Sequence, residues 1–420
     1  MKPLLHLAWC SAWNRRSTLA LILVAIALSV TMLLGVERLR SEAHRSFSLS
    51  VSGTDLVVGA RTSPVQLVLY AVFRIGEATS NIGWARVQEI TDHPLVAWAV
   101  PVSLGDSHHG FPVMGTTAAY FDHFRYGDST PLVMETGGPF RDIFEVVLGA
   151  EVAKRLGYRL GERIVLSHGS GDHGLPEHED KPFTVSGILA PTGTPVDRTL
   201  HISLEGMTAI HLDWVGGVPM PGFAIPQEHV KKFDLTPREV TAVLVGLKSR
   251  AAVFKVQRQI NEMSTEPLLA VMPGVALEQL WQVVGVAEKT LLAVSAMVVI
   301  VGLSGLVAVI LASLGERRRE LAILRSVGAR PRDILILMMT ESLLVTLGGI
   351  LLGIVMLQSA SLLLAPYVQA WYGITLQANM LSPSEMKLLL AVLGVGLLAG
   401  LVPGYRAYRM SLIDGLMPRI

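Results

Sequence analysis

The chain has 420 residues, 51% of them hydrophobic and 16% charged, with a net charge of +1 and a mean hydropathy of +0.48. So apolar an average excludes an ordinary soluble enzyme and points to a membrane protein, and the near-neutral balance offers no field for nucleic acid. Cys10 is the only cysteine, which excludes an internal disulfide and a thiolate metal cluster.

Residues 1–17 read as an amphipathic leader carrying Lys2, Arg15 and Arg16. Residues 18–36 are then apolar over a length that crosses the hydrocarbon core. A signal peptide has the same order of charge and apolar core. Here, however, the core is too long and LLGVERLR offers no small-x-small cleavage site, so the segment reads as an uncleaved first span.

Residues 37–289 are long enough to bury a core of their own. Short β-type runs at Asp55–Val58, Arg163–Leu166, Phe183–Leu189 and Thr241–Leu247 alternate with helical patterns at Gly149–Leu156 and Arg250–Met263. That mixture predicts an α+β domain. The apolar run 64–75 is too short to span and predicts a core or membrane-proximal helix.

Within this domain, Ser167–Pro182 (SHGSGDHGLPEHEDKP) crowds imidazoles and carboxylates into a Gly/Pro-rich hairpin tip. His168, His173, His178 and Asp180 are candidate ligands for Zn2+, since imidazole and carboxylate together suit a borderline cation. The spacing matches no zinc finger or H-E-x-x-H arrangement. The plain expectation is a solvated loop whose histidines are incidental. Zinc coordination and docking of an extracytoplasmic protein at 167–182 are the alternatives. His201 and His211 read as structural.

Three further spans follow at 290–314, 334–364 and 386–402, separated by loops 315–333 and 365–385 and followed by a tail, 403–420. The loop 315–333 holds Arg317, Arg318, Arg319, Arg325, Arg330 and Arg332, and the tail holds Arg406, Arg409 and Arg419. Residues 365–383 carry no Lys or Arg. By the positive-inside rule both termini and the arginine loop are cytoplasmic and residues 37–289 lie outside. The predicted architecture is a membrane protein of four transmembrane α-helices with a large α+β extracytoplasmic domain between helices one and two. Glu341 and Gln358 are the main polar residues of the third span, too few for an intramembrane enzyme site.

The arginine loop is itself structured. Leu321, Ile323, Leu324 and Val327 are read on one face of a short helix, with Arg318, Arg319, Ala322, Arg325 and Ser326 on the other. Gly328 suits the left-handed position after a helix end, and Pro331 suits the first turn of the next helix. Helix, sharp turn and span form a lever with little slack. The plainer reading is that the arginines hold the loop inside and touch anionic lipid.

The pattern R-x-x-E-x-A-I-L-R-x-x-G-A-x-x-x-x-I, then E-x-L-L and a Gly-rich span, resembles the FtsX-like permease domain, here over about 290–414. It is carried by Arg317, Glu320, Ala322, Ile323, Leu324, Arg325, Gly328, Ala329, Ile334, Glu341, Leu343, Leu344, Gly348, Gly349 and Gly353. Pro403, Arg406, Ala407 and Arg409 match the family's ending, whereas Leu412 stands where a proline is frequent. Leu148–Leu166 followed by Phe183–Leu189 is similar to the MacB-like periplasmic module.

The whole chain thus resembles the four-span, mechanotransmission (type VII) ABC permeases of the MacB, LolC/LolE and FtsX kind. That resemblance implies a bacterial inner-membrane protein whose arginine loop is a coupling helix on a separate ATPase. Arg317, Arg318, Arg319, Glu320, Leu321, Ala322, Leu324, Arg325, Gly328 and Ala329 would make the contact. The chain has no G-x-x-x-x-G-K-[ST] motif, so it is read as a non-enzyme that binds no cofactor itself. ATP and Mg2+ would sit on two copies of the partner. A second permease chain, identical or not, completes the assembly. The function implied is ATP-driven export or extraction of a hydrophobic or envelope substrate such as a lipoprotein or lipid. An FtsX-like regulator of a cell-wall hydrolase and a metal-linked transporter are the alternatives.

Overall fold

The computed structural model describes residues 16–76, 78–169, 177–215, 218–220, 225–316, 318–372 and 381–409. They fall into two units, with the chain passing from one to the other after Glu42 and again at Gly285.

The first is built on an eleven-stranded sheet. Its strands are β1 (Leu56–Ala60), β2 (Val96–His108), β3 (Phe111–Thr116), β4 (Met134–Gly137), β5 (Glu145–Leu148), β6 (Arg163–Ile164), β7 (Ser167–His168), β8 (Phe183–Leu189), β9 (Leu200–Ser203), β10 (Ala242–Leu247) and β11 (Leu268–Val271). The order is β11-β1-β10-β2-β3-β9-β5-β8-β4, with β7 added to β2 and β6 to β8. Two pairings, β9 with β3 and β8 with β5, are parallel. The others are antiparallel, and their mixture with helices bears out the α+β expectation.

Every residue of β1 is buried, because the sheet is covered on both faces there. Val57 faces a core shared with helix α1 (Pro64–Phe73), through Leu67, Val68 and Ala71. Leu56 and Val58 face the opposite core, closed by Val256 and Ile260 of helix α2 (Val253–Asn261). These two stand one helical turn apart and so share a face. Helix α1 is therefore a core helix, ended by Arg74 in the left-handed conformation (φ 58°). The RIVL run forms a strand only over Arg163–Ile164, and the run 250–263 opens with a 3-10 turn before α2.

The second unit holds most of the chain's first helix (Arg16–Leu49) and of the apolar helices α3 (Pro273–Glu316) and α5 (Pro331–Tyr372), with the amphipathic α4 (Arg318–Ser326), the apolar α6 (Pro383–Ala399) and the amphipathic α7 (Leu401–Arg409). Four helices are long and apolar enough to cross a membrane, and the α+β unit lies between the first and second. They run past the segments read from apolarity alone. α5 continues through Tyr372 into the predicted loop 365–385, and α7 carries helix into the predicted tail as far as Arg409. Residues 1–15 of the leader and 410–420 of the tail lie outside the described residues.

Small residues bring these helices together, as membrane packing requires. A Cβ on Gly353 would stand 2.9 Å from the Ala27 carbonyl oxygen, so the first helix and α5 touch backbone to backbone. Thr31 Oγ1 donates to the Gly353 carbonyl at 3.1 Å, and Ser342 Oγ to the Gly396 carbonyl at 2.7 Å. One polar constellation went unread in the sequence. Arg38 Nε donates to Glu385 Oε1 at 3.0 Å and Arg38 Nη1 to Gln358 Oε1 at 3.2 Å, joining the first helix, α5 and α6.

Candidate functional site

Two features carry chemistry or mechanics: the junction of α4 with α5, and a histidine cluster in the sheet unit. At the junction, α4 ends at Ser326 and Gly328 takes φ 105°, a conformation that a side chain would strain. The Ala329 N–H bonds back to the Leu324 carbonyl at 3.0 Å, closing the helix end. Pro331 opens α5, and Asp333 accepts the Arg330 N–H at 2.8 Å, so the second helix is capped at once. The helix–turn–span geometry read from Gly328 and Pro331 is present.

The faces of α4 differ from the sequence reading. Leu321 and Ala322 are buried, and Leu324 and Arg325 are half-buried. Leu321 joins the core of Leu314, Ile334 and Met338, with Leu324 packed against it. Ala322 was assigned to the charged face, but at about 100° per residue it lies on the same side as Leu321 and Arg325. Ile323 and Val327 were read on one face with Leu321 and Leu324; those two are packed, yet Ile323 and Val327 are 53% and 83% exposed. They stand one turn apart and form an outward apolar pair. Gly328 is exposed and Ala329 half-buried in the turn. Arg318, Arg319 and Glu320 lie in the first turn of α4, while Arg317 lies outside the described residues.

The histidine cluster gathers Asp106, His168, His178 and His211, whose donor atoms all lie within 4.8 Å of one another. Three pieces of the fold assemble it. Asp106 and His168 are paired residues of β2 and β7. His178 follows the neck of the hairpin, where Ser167 bridges Glu177 and the His178 N–H reaches the Leu166 carbonyl at 2.8 Å. His211 ends the helix Leu204–Ile210, held by its Nδ1 against the Met207 carbonyl at 2.8 Å. His168 Nδ1 stands 3.1 Å from Asp106 Oδ1 and 3.0 Å from His211 Nε2, and His211 Nε2 stands 3.5 Å from Asp106 Oδ1. The Trp214 ring covers the group, 4.2 Å from His178 and 5.3 Å from His168 between centroids.

Charge organises the cluster. Burial of Asp106 opposes its ionisation, but the hydrogen bonds from His168 and His211 and the nearby imidazoles outweigh it and hold the carboxyl down at about 2. Burial pushes His178 down to about 4, and Asp106 only partly offsets that. His211 is also penalised by burial, yet the bond to Asp106 and its charge leave it raised.

The structure therefore brings together two of the four ligands read from the sequence, His168 and His178. His173 lies outside the described residues. Asp180 is turned elsewhere: its carboxylate accepts from Lys181 Nζ at 2.5 Å, and that ammonium also bonds Asp213 at 2.9 Å. His178 is fully buried, contrary to the solvated-loop expectation. Asp106 was missed because it sits in a strand far from the loop. His211, read as structural, is a member of the cluster. Neither position carried a spacing signal, since the sheet and the end of a distant helix create the proximity.

Comparison with known proteins gives two family matches. The model for the FtsX-like permease C-terminal matches residues 292–412, and that for the MacB-like periplasmic core domain matches residues 17–263. The macrolide export ATP-binding/permease protein MacB of Nitrobacter winogradskyi is 32% identical over 388 positions, covering 85% of this chain and 53% of that protein. MacB of Chromobacterium violaceum is 34% identical over 132 residues, 31% of this chain and 20% of the relative. A probable syringafactin export ATP-binding/permease protein of Pseudomonas syringae is 32% identical over 117 residues, 28% and 17% respectively. The chain thus spans about half, or less, of the length of these relatives. Among solved structures, the periplasmic region of MacB from Actinobacillus actinomycetemcomitans aligns with TM-score 0.33 and 12% identity, covering 55% of this chain and 94% of that one.

Proposed function

The chain belongs to the family of MacB- and FtsX-like ABC permeases, and from that premise we propose that it transmits the motion of an ABC ATPase to its extracytoplasmic domain. In this reading it lies in a bacterial inner membrane with both termini and α4 in the cytoplasm. It pairs with a second permease chain and moves or extracts a hydrophobic or envelope substrate, such as a lipoprotein or lipid. Two ATPase subunits bind the nucleotide and Mg2+.

The observation that supports this best is the junction of α4 and α5. Ile323 and Val327 form an apolar pair on the side of α4 away from Leu321, which joins the helical core, and the buried Ala322. A short helix that is packed on one face, apolar on the other and fused through a single tight turn to a long span suits a seat for a partner protein. Lipid contact through the arginines alone leaves that outward pair unexplained. The driving requirement is modest: nucleotide need favour one conformer by about 5 kcal/mol to move the population almost completely.

Cross-linking tests the seat. With Cys10→Ser removing the only native cysteine, Val327→Cys should cross-link to the co-expressed ATPase in a nucleotide-dependent manner. Ile323→Asp with Val327→Asp should abolish ATPase co-purification while leaving the permease in the membrane. Undiminished complex formation by the double aspartate variant would sink the assignment.

A further inference from the structure

We propose that Asp106, His168, His178 and His211 form a four-coordinate site for Zn2+ or a chemically similar transition-metal cation in the α+β unit. The inference stands apart from the transport reading, because it rests only on side chains within that unit.

The first argument is the orientation of His211. A backbone carbonyl can only accept, so the Nδ1 atom 2.8 Å from the Met207 oxygen carries the hydrogen. In the neutral ring Nε2 then bears a lone pair, and it is aimed at Asp106 Oδ1 and His168 Nδ1. A ligating histidine is commonly fixed in this way, by a carbonyl on its other nitrogen.

The second is His178. It is 0% exposed, and neither ring nitrogen has a hydrogen-bond partner among the described residues; Asp106 Oδ2 is likewise without one. Native folds rarely leave buried polar atoms unsatisfied without a reason, and a shared cation would give one His178 nitrogen and the Asp106 carboxylate a common partner.

The third is distance. Ligands about 2.0–2.1 Å from a tetrahedral ion stand roughly 3.4 Å apart. The three separations among His168, His211 and Asp106 are 3.0, 3.1 and 3.5 Å. The remaining donor, from His178, lies within 4.8 Å of the others, and moving its ring inward would complete the tetrahedron.

Three imidazoles and one carboxylate favour Zn2+ over Mg2+ or Ca2+, which prefer all-oxygen shells. Four protein donors leave no open position for a substrate water, the pattern of a structural site. Trp214 shields it. Such an ion would clasp β2, β7, the residue after the Ser167–Glu177 bridge and the end of the Leu204–Ile210 helix to one another. The competing occupant is a proton, making His211 an imidazolium against Asp106. That arrangement satisfies one contact and leaves both nitrogens of His178 unpartnered.

The test uses the tag-free, full-length protein in detergent, exchanged into excess Zn2+ and then dialysed. Elemental analysis should find one zinc per chain, falling to background in His178→Gln and His211→Gln but unchanged in His229→Gln, which alters an exposed histidine outside the cluster. Co2+ in place of Zn2+ should give the intense visible bands of a tetrahedral nitrogen–oxygen site. Zn2+ should raise the melting temperature of the wild type and of His229→Gln but not of the cluster variants. If His178→Gln does not fold, His168→Gln at a half-exposed position carries the same comparison. Absence of retained zinc in the wild type, or zinc retained in every cluster variant, would overturn the proposal. So would melting that follows pH but ignores Zn2+.

Discussion

Replacing Glu385 by alanine should destabilise the helical unit severely, and replacing both Glu385 and Arg38 by apolar residues should not. The pair is 3.0 Å long, with side chains only 3% and 7% exposed. Truncating one partner strands a buried charge, which typically costs about 3–5 kcal/mol. Gln358 Oε1, 3.2 Å from Arg38 Nη1, retains one bond to the guanidinium and argues for the lower half of that range. Glu385 has a second task, because its Oε2 accepts the Ser382 N–H at 2.7 Å in the capping box of α6. Losing that adds about 1 kcal/mol. The sum for Glu385→Ala is about 4–5 kcal/mol. Arg38→Met with Glu385→Leu removes both charges and their desolvation cost, so the double variant should lie within about 1 kcal/mol of wild type once the cap is allowed for. Reversible unfolding in mixed micelles with increasing dodecyl sulfate measures Glu385→Ala, the double variant and its two single components, Arg38→Met and Glu385→Leu, and the double should cost far less than the sum of those two singles. If Glu385→Ala costs under about 1 kcal/mol, or the single costs simply add, the two groups are not a desolvated pair and the reasoning fails.

Gly353→Val should lower the same unfolding midpoint, because the new side chain meets the Ala27 carbonyl oxygen and Val30; overpacking of this kind costs about 1–3 kcal/mol. Gly305→Ala, where nothing lies within 4 Å, should be neutral or slightly stabilising, and equal losses at both sites would remove the close-approach argument. His201 is fully buried against Tyr120 and Phe121, with Arg74 adding to the effect of burial, and its pKa is pushed down to about 3. Because the unfolded chain binds the proton more readily, its contribution is complete above the ordinary histidine value of about 6.5 and is lost as pH falls toward the folded value; at pH 5 the loss is about 2 kcal/mol. Hydrogen exchange of β9 and β5 amides should show that pH dependence in the wild type and not in His201→Phe. Equal slopes in the two proteins would refute it. In the proposed ATPase seat, Leu321→Asp should unfold the α4 packing and lower expression, whereas Ile323→Asp should leave the melting temperature unchanged and affect only complex formation; matching effects at the two positions would show that α4 has no free face.

What could be read from the chain was what local pattern encodes. Apolar length gave the four spans, FTVSGIL gave β8 to the residue, and Gly328 with Pro331 gave the turn between α4 and α5. The errors share one cause, which is that burial is decided by partners distant in sequence. On α4, apolar character alone put Ile323 and Val327 on one face with Leu321. Yet the face that packs is the one carrying Leu321, and Ile323 lies about 200° away from it around the helix. Arg38 and Glu385 stand near the ends of spans one and four, 347 positions apart, and no local pattern marks them as partners. They become a buried pair only when the first helix and α6 meet.

The histidine cluster shows the same limit in its sharpest form, and also why its chemistry became readable only in three dimensions. The loop 167–182 advertises itself by composition, so attention fell on its own histidines and acids. A loop, however, offers ligands with no fixed geometry, and fixing them requires scaffolding from regular structure. Pairing of β7 with β2 puts His168 beside Asp106, and the last turn of the Leu204–Ile210 helix holds His211 through Met207. Asp180 is the instructive counterexample. It is two residues from His178 and looked equivalent in the sequence, but the buried ammonium of Lys181, already committed to Asp213, draws it away. Between His178 and Asp180 the choice is therefore made by the sheet and by Lys181, not by the loop. A substitution at Met207 that preserves its backbone should accordingly leave the cluster intact, while breaking the β2–β7 pairing should scatter it.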